Sequence, residues 1–340
     1  MSESTTQNYN HLKIHSQYSI CEGAIKIDDL KEFSKTNKIQ SLGLSDTTNL
    51  CGALEFAEKI SKVGTQPIIG TQINFKFSDT VGLLPLFALD EEGYKRIIKL
   101  SSFSFLNNDE LSEPHLDFNE LLEDTHGVAI LSGTIFGLFG QLFDKGKFTE
   151  IKDLYSKLKE KFGDRFYLEI QRHNDQNELS FEKFNLKKSL ELSIPLIATN
   201  EVFYLNKDMH EAHDALICIG SKTYINDKTR KRYSDQHYLK SNLEMAELFS
   251  DLPEALENNC NFPLRCNFRP LFSNPILPNI SSEKGGNADD ILRKDSLHGL
   301  KDKFHKVFGI KNNETENNNI FLEYKDRLDH ELSIIIEMKY

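Results

Sequence analysis

Residues 11–23 read HLKIHSQYSICEG and bring His11, Lys13, His15, Cys21 and Glu22 together on a short strand and its following loop. Imidazole, thiolate and carboxylate groups donate lone pairs to divalent cations, and a cluster of such cations polarises a phosphate and activates water. An ammonium donates hydrogen bonds only and repels a cation. His11 and Lys13 are two residues apart, so a strand turns both to one face. The stretch therefore reads as a metal site, as the relic of one, or as an ordinary strand edge carrying imidazoles.

Several other residues have a sharp and a plain reading. His173, in QRHN, follows a strand and either reaches the same cleft or bonds to loop backbone, and the second is the expectation. His210 and His213 have helical spacing for a shared ion but no neighbouring ligand motif, so they are expected on a helix surface. Cys21 lacks a base partner that would lower its pKa, and is expected as a small buried residue. KTRKR, residues 228–232, is the one dense basic run, either a contact to DNA phosphates or a solvated loop. In DLPEALENN, Asp251 is expected as a helix N-cap with Pro253 in the first turn.

The elements that must position these groups alternate. Asp28 and Asp29 are placed to cap a helix whose apolar face includes Leu30 and Phe33. SLGLSD (41–46) reads as a buried strand, and a helix follows with Leu50, Leu54, Ala57 and Ile60 on one face and Gly64 in its last turn. QPIIGTQINF (66–75) and LLPLFALD (83–90) read as strands, the second leading into the helix EEGYKRIIKL (91–100). GVAILSG (127–133), FYLEIQ (166–171) and IPLIATN (194–200) continue the series. Such alternation predicts an α/β fold with a mainly parallel sheet, doubly wound or closed into a barrel, whose chemistry sits at the carboxyl ends of the strands. Asp46, Gln72, Thr134, Gln171 and Glu201 all fall at or just beyond such ends.

Length and charge narrow the class. The 340 residues suffice for one large domain or for one domain and part of a second. Hydrophobic residues, 39% of the chain, come in short runs, so a packed core is expected and a membrane span is not. Residues 1–10 lack the basic and apolar regions of a signal peptide. Five cysteines without a CxxC point to reduced thiols and a cytoplasmic location. A net charge of −11 argues against a surface that grips nucleic acid by itself, and for protein contacts. SNPILPNISSEKGGNADD (273–290) reads as a linker, Ala288–Phe304 as a helix and KNNETENNN (311–319) as a polar surface loop. YKDRLDHELSIIIEMKY (324–340) has Leu328, Leu332, Ile335 and Ile336 on one helical face and ends without a stop signal, so the expectation is an N-terminal piece of something longer.

The segments HLKIHSQYSICEGAIKIDDL, LGLSDTTNLCGALEF, PIIGTQINF, LFALDEEGYKRIIKLSS, FYLEIQRHN and PLIATNEVFYL are followed by YLKSNLEMAELFSDLPEALENNCNFPLRCNF (238–268) and YKDRLDHELSIIIEMKY. In this order and spacing, from about residue 9 to 340, the chain resembles the alpha subunit of bacterial DNA polymerase III. The resemblance implies a disordered start at 1–8, a PHP (polymerase and histidinol phosphatase) domain at 9–272 with a distorted (β/α)7 barrel, a linker at 273–290, and the truncated, mainly helical beginning of the polymerase palm at 291–340. It implies a parent nucleotidyltransferase that copies DNA in replication, with Mg²⁺ on paired palm aspartates. No Asp-x-Asp occurs in the 340 residues, so no catalytic residue of that reaction is expected in this segment. The implied partners are the proofreading exonuclease subunit at the PHP domain, and other replisome subunits and primer-template DNA through further parts, without a membrane.

The resemblance also implies a metal site that can be followed residue by residue. Some members of the family hold three divalent ions on roughly nine ligands, mostly histidines. The first motif, His-x-His, stands in this sequence as Lys13-Ile14-His15, and the next acid is Glu22. Asp46 is kept, but Thr47 follows it in place of a histidine, and the bridging glutamate is Gln72. Leu83 falls at another histidine position, Thr134 at a cysteine position, and Glu201-Val202-Phe203 replaces the closing Asp-x-His. His15, Glu22, Asp46 and Glu201 remain as vestigial candidates for one weakly held ion, while Lys13, Thr47, Gln72, Leu83, Thr134 and Phe203 are lost positions. The expectation is a non-catalytic scaffold that braces the polymerase core and docks the exonuclease. The alternative is a metal-dependent phosphoesterase, either proofreading, pyrophosphate-cleaving or histidinol-phosphatase-like.

Overall fold

A computed structural model of the chain describes residues 9–108, 112–275, 287–309 and 318–338. The short apolar runs form strands β1 (Lys13–Ile14), β2 (Ser41–Thr47), β3 (Gln66–Phe77), β4 (Thr80–Ala88), β5 (Leu116–Asp117), β6 (Val128–Leu131), β7 (Phe166–Ile170), β8 (Leu196–Ala198) and β9 (Glu201–Val202). The main sheet runs β2-β3-β4-β6-β7-β8, with β5 added beside β3, and β1 pairs in parallel with β9. Two residues separate β8 from β9, and the Gly43 N–H donates to the His11 carbonyl at 2.7 Å, which joins β1 to β2. With the chain joining β8 to β9, the path of strands therefore returns to its start as a distorted seven-staved barrel in an α/β framework. At Gly43 a Cβ would lie 2.4 Å from the Leu12 carbonyl oxygen, so only glycine lets the two strands approach.

One strand departs from the parallel expectation. β4 is antiparallel to both β3 and β6. Only Ser78 and Asp79 link β3 to β4, with Ser78 at a φ of 56°, and so short a link permits a hairpin and forbids a parallel crossover.

The helices wrap the strands: α1 (Ile27–Asn37), α2 (Ala53–Ser61), α3 (Glu91–Leu106), α4 (Phe118–Glu123), α5 (Leu138–Asp144), α6 (Phe148–Phe162), α7 (Glu178–Leu192), α8 (His210–Ser221), α9 (Asn242–Leu248) and α10 (Pro253–Asn261). Ile27 and Leu30 of α1 and Phe56, Ala57 and Ile60 of α2 bury against Leu42 and Leu44 of β2, as the helical spacing requires. Two expected caps are corrected. Lys26 precedes α1, and Asp28 and Asp29 lie inside its first turn, where they face the positive end of the helix dipole. Leu252, not Asp251, precedes α10; Pro253 opens that helix, and Asp251 pairs with Arg172 at 2.6 Å.

Residues 273–340 form a second compact unit. Its helices α11 (Ala288–Phe308) and α12 (Asn319–Glu337) bury Phe304, Phe321 and Leu332, and the Phe304 and Phe321 rings meet edge to face at 5.4 Å. α11 runs a turn beyond the expected Phe304 and ends at Gly309, whose φ of 68° suits a glycine cap. The expected disorder of 1–8, most of the 273–290 linker and most of the 311–319 loop lie outside the described residues. Among the described residues no helix is long and apolar enough to cross a membrane.

Candidate functional site

The strand ends meet at one mouth of the barrel. Gln72, Thr134, Gln171 and Glu201, expected at such ends, line one cleft together with His15, Glu22, Thr47, Leu83 and Phe203. Lys13 and Asp46 lie beneath it, both buried. The sequence positions of the proposed ligand set are thus brought together, and their chemistry can be read contact by contact.

Lys13 sits at the centre, with its side chain fully buried. Its Nζ lies 2.6 Å from Glu201 Oε2 and 3.1 Å from Glu169 Oε1. Burial acts against the ammonium, but the Glu169 and Glu201 carboxylates outweigh it and hold the lysine above its ordinary pKa. Burial likewise acts against a Glu201 charge, and Lys13 and His15 overcome it, so Glu201 stays well below the usual carboxylate range. Glu169 is pushed upward by burial, with Lys13 opposing and the Glu201 charge adding to the rise.

Most of the remaining donors and acceptors are occupied within the protein, while Glu169 Oε2 is buried without a partner. Glu201 Oε1 lies 2.6 Å from His15 Nε2 and accepts the Gln72 amide. Asp46 Oδ1 accepts from the Ser16 N–H and the Ser19 hydroxyl, both at 2.7 Å, and Oδ2 from the Ser16 hydroxyl at 2.8 Å. Asp46 is nonetheless raised by burial, against which these serines and His15 act. Glu22 accepts the Thr47 hydroxyl at 2.6 Å, and Thr134 Oγ1 accepts the Phe136 N–H. The Phe203 ring stacks on His15 at 4.4 Å, filling the place of a closing imidazole. Gln171 donates to Glu169 at 2.7 Å and to the Thr199 hydroxyl at 3.0 Å.

A three-ion cluster does not fit these residues. Each ion must exchange its hydration shell for free lone pairs, but here an ammonium pairs with Glu169 and Glu201, and the oxygens of Asp46 and the second Glu201 oxygen are taken up by protein groups. The cleft they line is about 50 Å³, against roughly 300–1,000 Å³ for small-molecule sites. A larger groove of about 550 Å³ adjoins it, lined mostly by apolar groups such as Tyr18, Ile20, Phe105 and Ile217.

The secondary candidates divide. His173 is buried, and its Nε2 lies 3.2 Å from the Glu201 backbone nitrogen and 3.0 Å from Asn200 Oδ1, so the expected backbone contact is made, while the residue is not among those lining the cleft. His213, expected on a helix surface, is buried and bonds to the Glu22 carbonyl at 2.8 Å, while His210 faces the Tyr233 carbonyl at 3.1 Å. The helix carries His213 inward because α8 packs its Ile217 and Cys218 side against the mouth. Cys21 is half-buried rather than buried and lines the larger groove. Within the basic run, Arg230 folds back onto Asp214 with two contacts of 2.6 Å, and Lys231 lies 4.6 Å over the Tyr233 ring. These two cations are engaged by the protein itself.

Sequence reading missed Glu169, Asp175, Glu178 and His237. For Glu169 a signal existed: a carboxylate inside the apolar strand FYLEI must find a partner. His237 carried no local signal, because only the fold brings it against His173 with rings stacked at 4.0 Å.

Comparison with known proteins adds the lineage. Residues 11–173 match the family described as PHP domain. The chain is 39% identical to DNA polymerase III subunit alpha of Rickettsia conorii over 97% of its own length and 28% of that protein. It is 34% identical to the same subunit of Caulobacter vibrioides over its full length and 30% of that protein. The chain thus spans under a third of these curated relatives. A solved two-domain protein from Bacteroides vulgatus, titled as containing a PHP-like metal-dependent phosphoesterase, is 12% identical with a TM-score of 0.36, covering 70% of this chain and 61% of that one. A likeness of that size carries no weight for function.

Proposed function

Because the chain is related along nearly its whole length to the DNA polymerase III alpha subunits and contains a PHP domain, we propose that it acts in DNA replication as a non-catalytic PHP scaffold of such a subunit. In this reading residues 9–272 brace a polymerase core whose palm begins after about residue 290, and they offer a docking face to a proofreading exonuclease. Template-directed synthesis, its Mg²⁺ and its contacts to primer-template DNA and other replisome subunits belong to the whole polymerase, in the cytoplasm. The observation that carries the proposal is Lys13. An ammonium buried between Glu169 and Glu201 replaces a lone-pair donor with a fixed positive charge at the centre of the former ligand set. Hydrolysis would need a water activated by metal at that point, where the mouth places an ammonium and leaves little space.

The test is a phosphatase assay of the purified chain on a chromogenic phosphate ester with Mn²⁺ or Zn²⁺. Turnover no higher than in the His15→Ala variant is the expected result. Metal-dependent turnover that His15→Ala abolishes would establish the phosphoesterase alternative instead.

A further inference from the structure

We propose that His173, Asp175 and His237 form a mononuclear site for a transition-metal dication such as Zn²⁺ at the rim of the barrel, using none of the residues of the degraded cluster. His173 and Asp175 lie on the loop after β7, and His237 lies on the segment leading to α9. The Phe203 N–H donates to the His237 carbonyl at 3.0 Å and pins that segment beside β9. Each of the three residues offers one donor atom, and all three atoms lie within 4.8 Å of one another.

The hydrogen bonds of His237 carry the argument. Its Nδ1 lies 3.1 Å from the Glu201 carbonyl oxygen, a contact that requires the proton on Nδ1. In the neutral ring Nε2 then presents a lone pair, and it lies 3.1 Å from Asp175 Oδ2, which also presents lone pairs. Two acceptors at that distance repel unless they share a cation, either a proton or a metal ion. A carbonyl behind a ligating imidazole is the usual device for holding its tautomer and orientation. His173 is held in place through Nε2, which lies 3.2 Å from the Glu201 backbone nitrogen and 3.0 Å from Asn200 Oδ1, so the nitrogen it would offer an ion is Nδ1, 3.3 Å from Glu178 Oε1.

Donor chemistry and access favour the metal. Two imidazoles and a carboxylate are a familiar donor set for Zn²⁺ that leaves a fourth position open. Asp175 is half-buried and lines an open cleft with Asn174, Gln176, His210 and Arg232, through which an ion can enter. The His173 and His237 rings are parallel to within 5°, whereas a tetrahedral ion needs donors about 3.3 Å apart in the plane of each ring. Loading therefore turns one ring out of the stack.

The test uses the full chain, stripped with a chelator and titrated with Zn²⁺ by calorimetry, and with Co²⁺ followed by visible absorption. One ion per chain is expected, with the strong bands of four-coordinate Co²⁺. Asp175→Asn, which preserves shape, and His237→Gln should each weaken uptake by about tenfold or more, while Glu22→Gln at the old mouth leaves it unchanged. Thermal unfolding of each variant confirms that it is folded. No uptake, uptake indifferent to both rim variants, or uptake lost in Glu22→Gln would overturn the site and leave a plain His237–Asp175 contact. Because none of these readouts is turnover, the rim site and the scaffold reading fail separately.

Discussion

Lys13 decides the character of the barrel mouth. Its removal leaves Glu201 and Glu169 as buried acids without their cation, and breaking a buried pair from one side costs roughly 3–5 kcal/mol. Lys13→Met should therefore lower the denaturant midpoint sharply, and adding Glu201→Gln to that variant should restore part of the loss. A midpoint unchanged in Lys13→Met would mean that the pair is not formed. His11 gives a second residue-scale expectation. Burial is the main reason its pKa falls to about 4, and its Nε2 lies 2.8 Å from the Lys240 carbonyl. The folded state then binds fewer protons than the unfolded state, whose histidine titrates near 6.5. Stability from this group is full above about 6.5 and drains away as pH falls toward about 4, reaching a loss of about 2 kcal/mol at pH 5. Urea unfolding of the wild type and His11→Asn at pH 7 and pH 5 checks this, since the variant should lose less between the two.

At the scale of elements, closure of the barrel rests on a strand only two residues long. Gly43→Ala sets a methyl against the Leu12 backbone and should separate β1 from β2. In the wild type the Gly43 amide is expected to exchange slowly with solvent, and in the variant the amides of β1 and β9 should exchange much faster. How far the elements were legible follows from the same physics. Helices α1 and α2 were read from their apolar spacing, α3 from the strand that leads into it, and β2, β3 and β7 from short, largely apolar runs. The direction of β4 was hidden because alternation speaks of parallel units, and only the two-residue link at Ser78 and Asp79 revealed a hairpin. At the mouth, Gln72, Thr134, Gln171 and Glu201 were placed from strand ends alone. The partners that neutralise Lys13 come from more than 150 residues away and those that orient His237 from 36 and 62 residues away, which no local pattern can connect.

For the whole molecule, the division at residue 272 has an energetic basis. The main hydrophobic clusters lie within residues 9–266, around β1 to β9 and helices α1 to α10, while the second unit keeps its own small core around Phe304. A chain ending at Phe272 should therefore unfold cooperatively at nearly the melting temperature of the full chain's first transition, as calorimetry would show. A drop of more than about 4 °C, beyond what roughly 1 kcal/mol accounts for in a domain of this size, would mean that residues 273–340 contribute to the barrel's stability.

The pairing of β1 with β9 bears on how the protein is made. Lys13 meets Glu201 at a sequence separation of 188 residues. A ribosome adding roughly 5–20 residues per second needs about 10–40 s to bring out the second after the first. During that interval the opening strand has neither its neighbour nor its counter-ion, so the seam that completes the ring is also the last part of it to be synthesised.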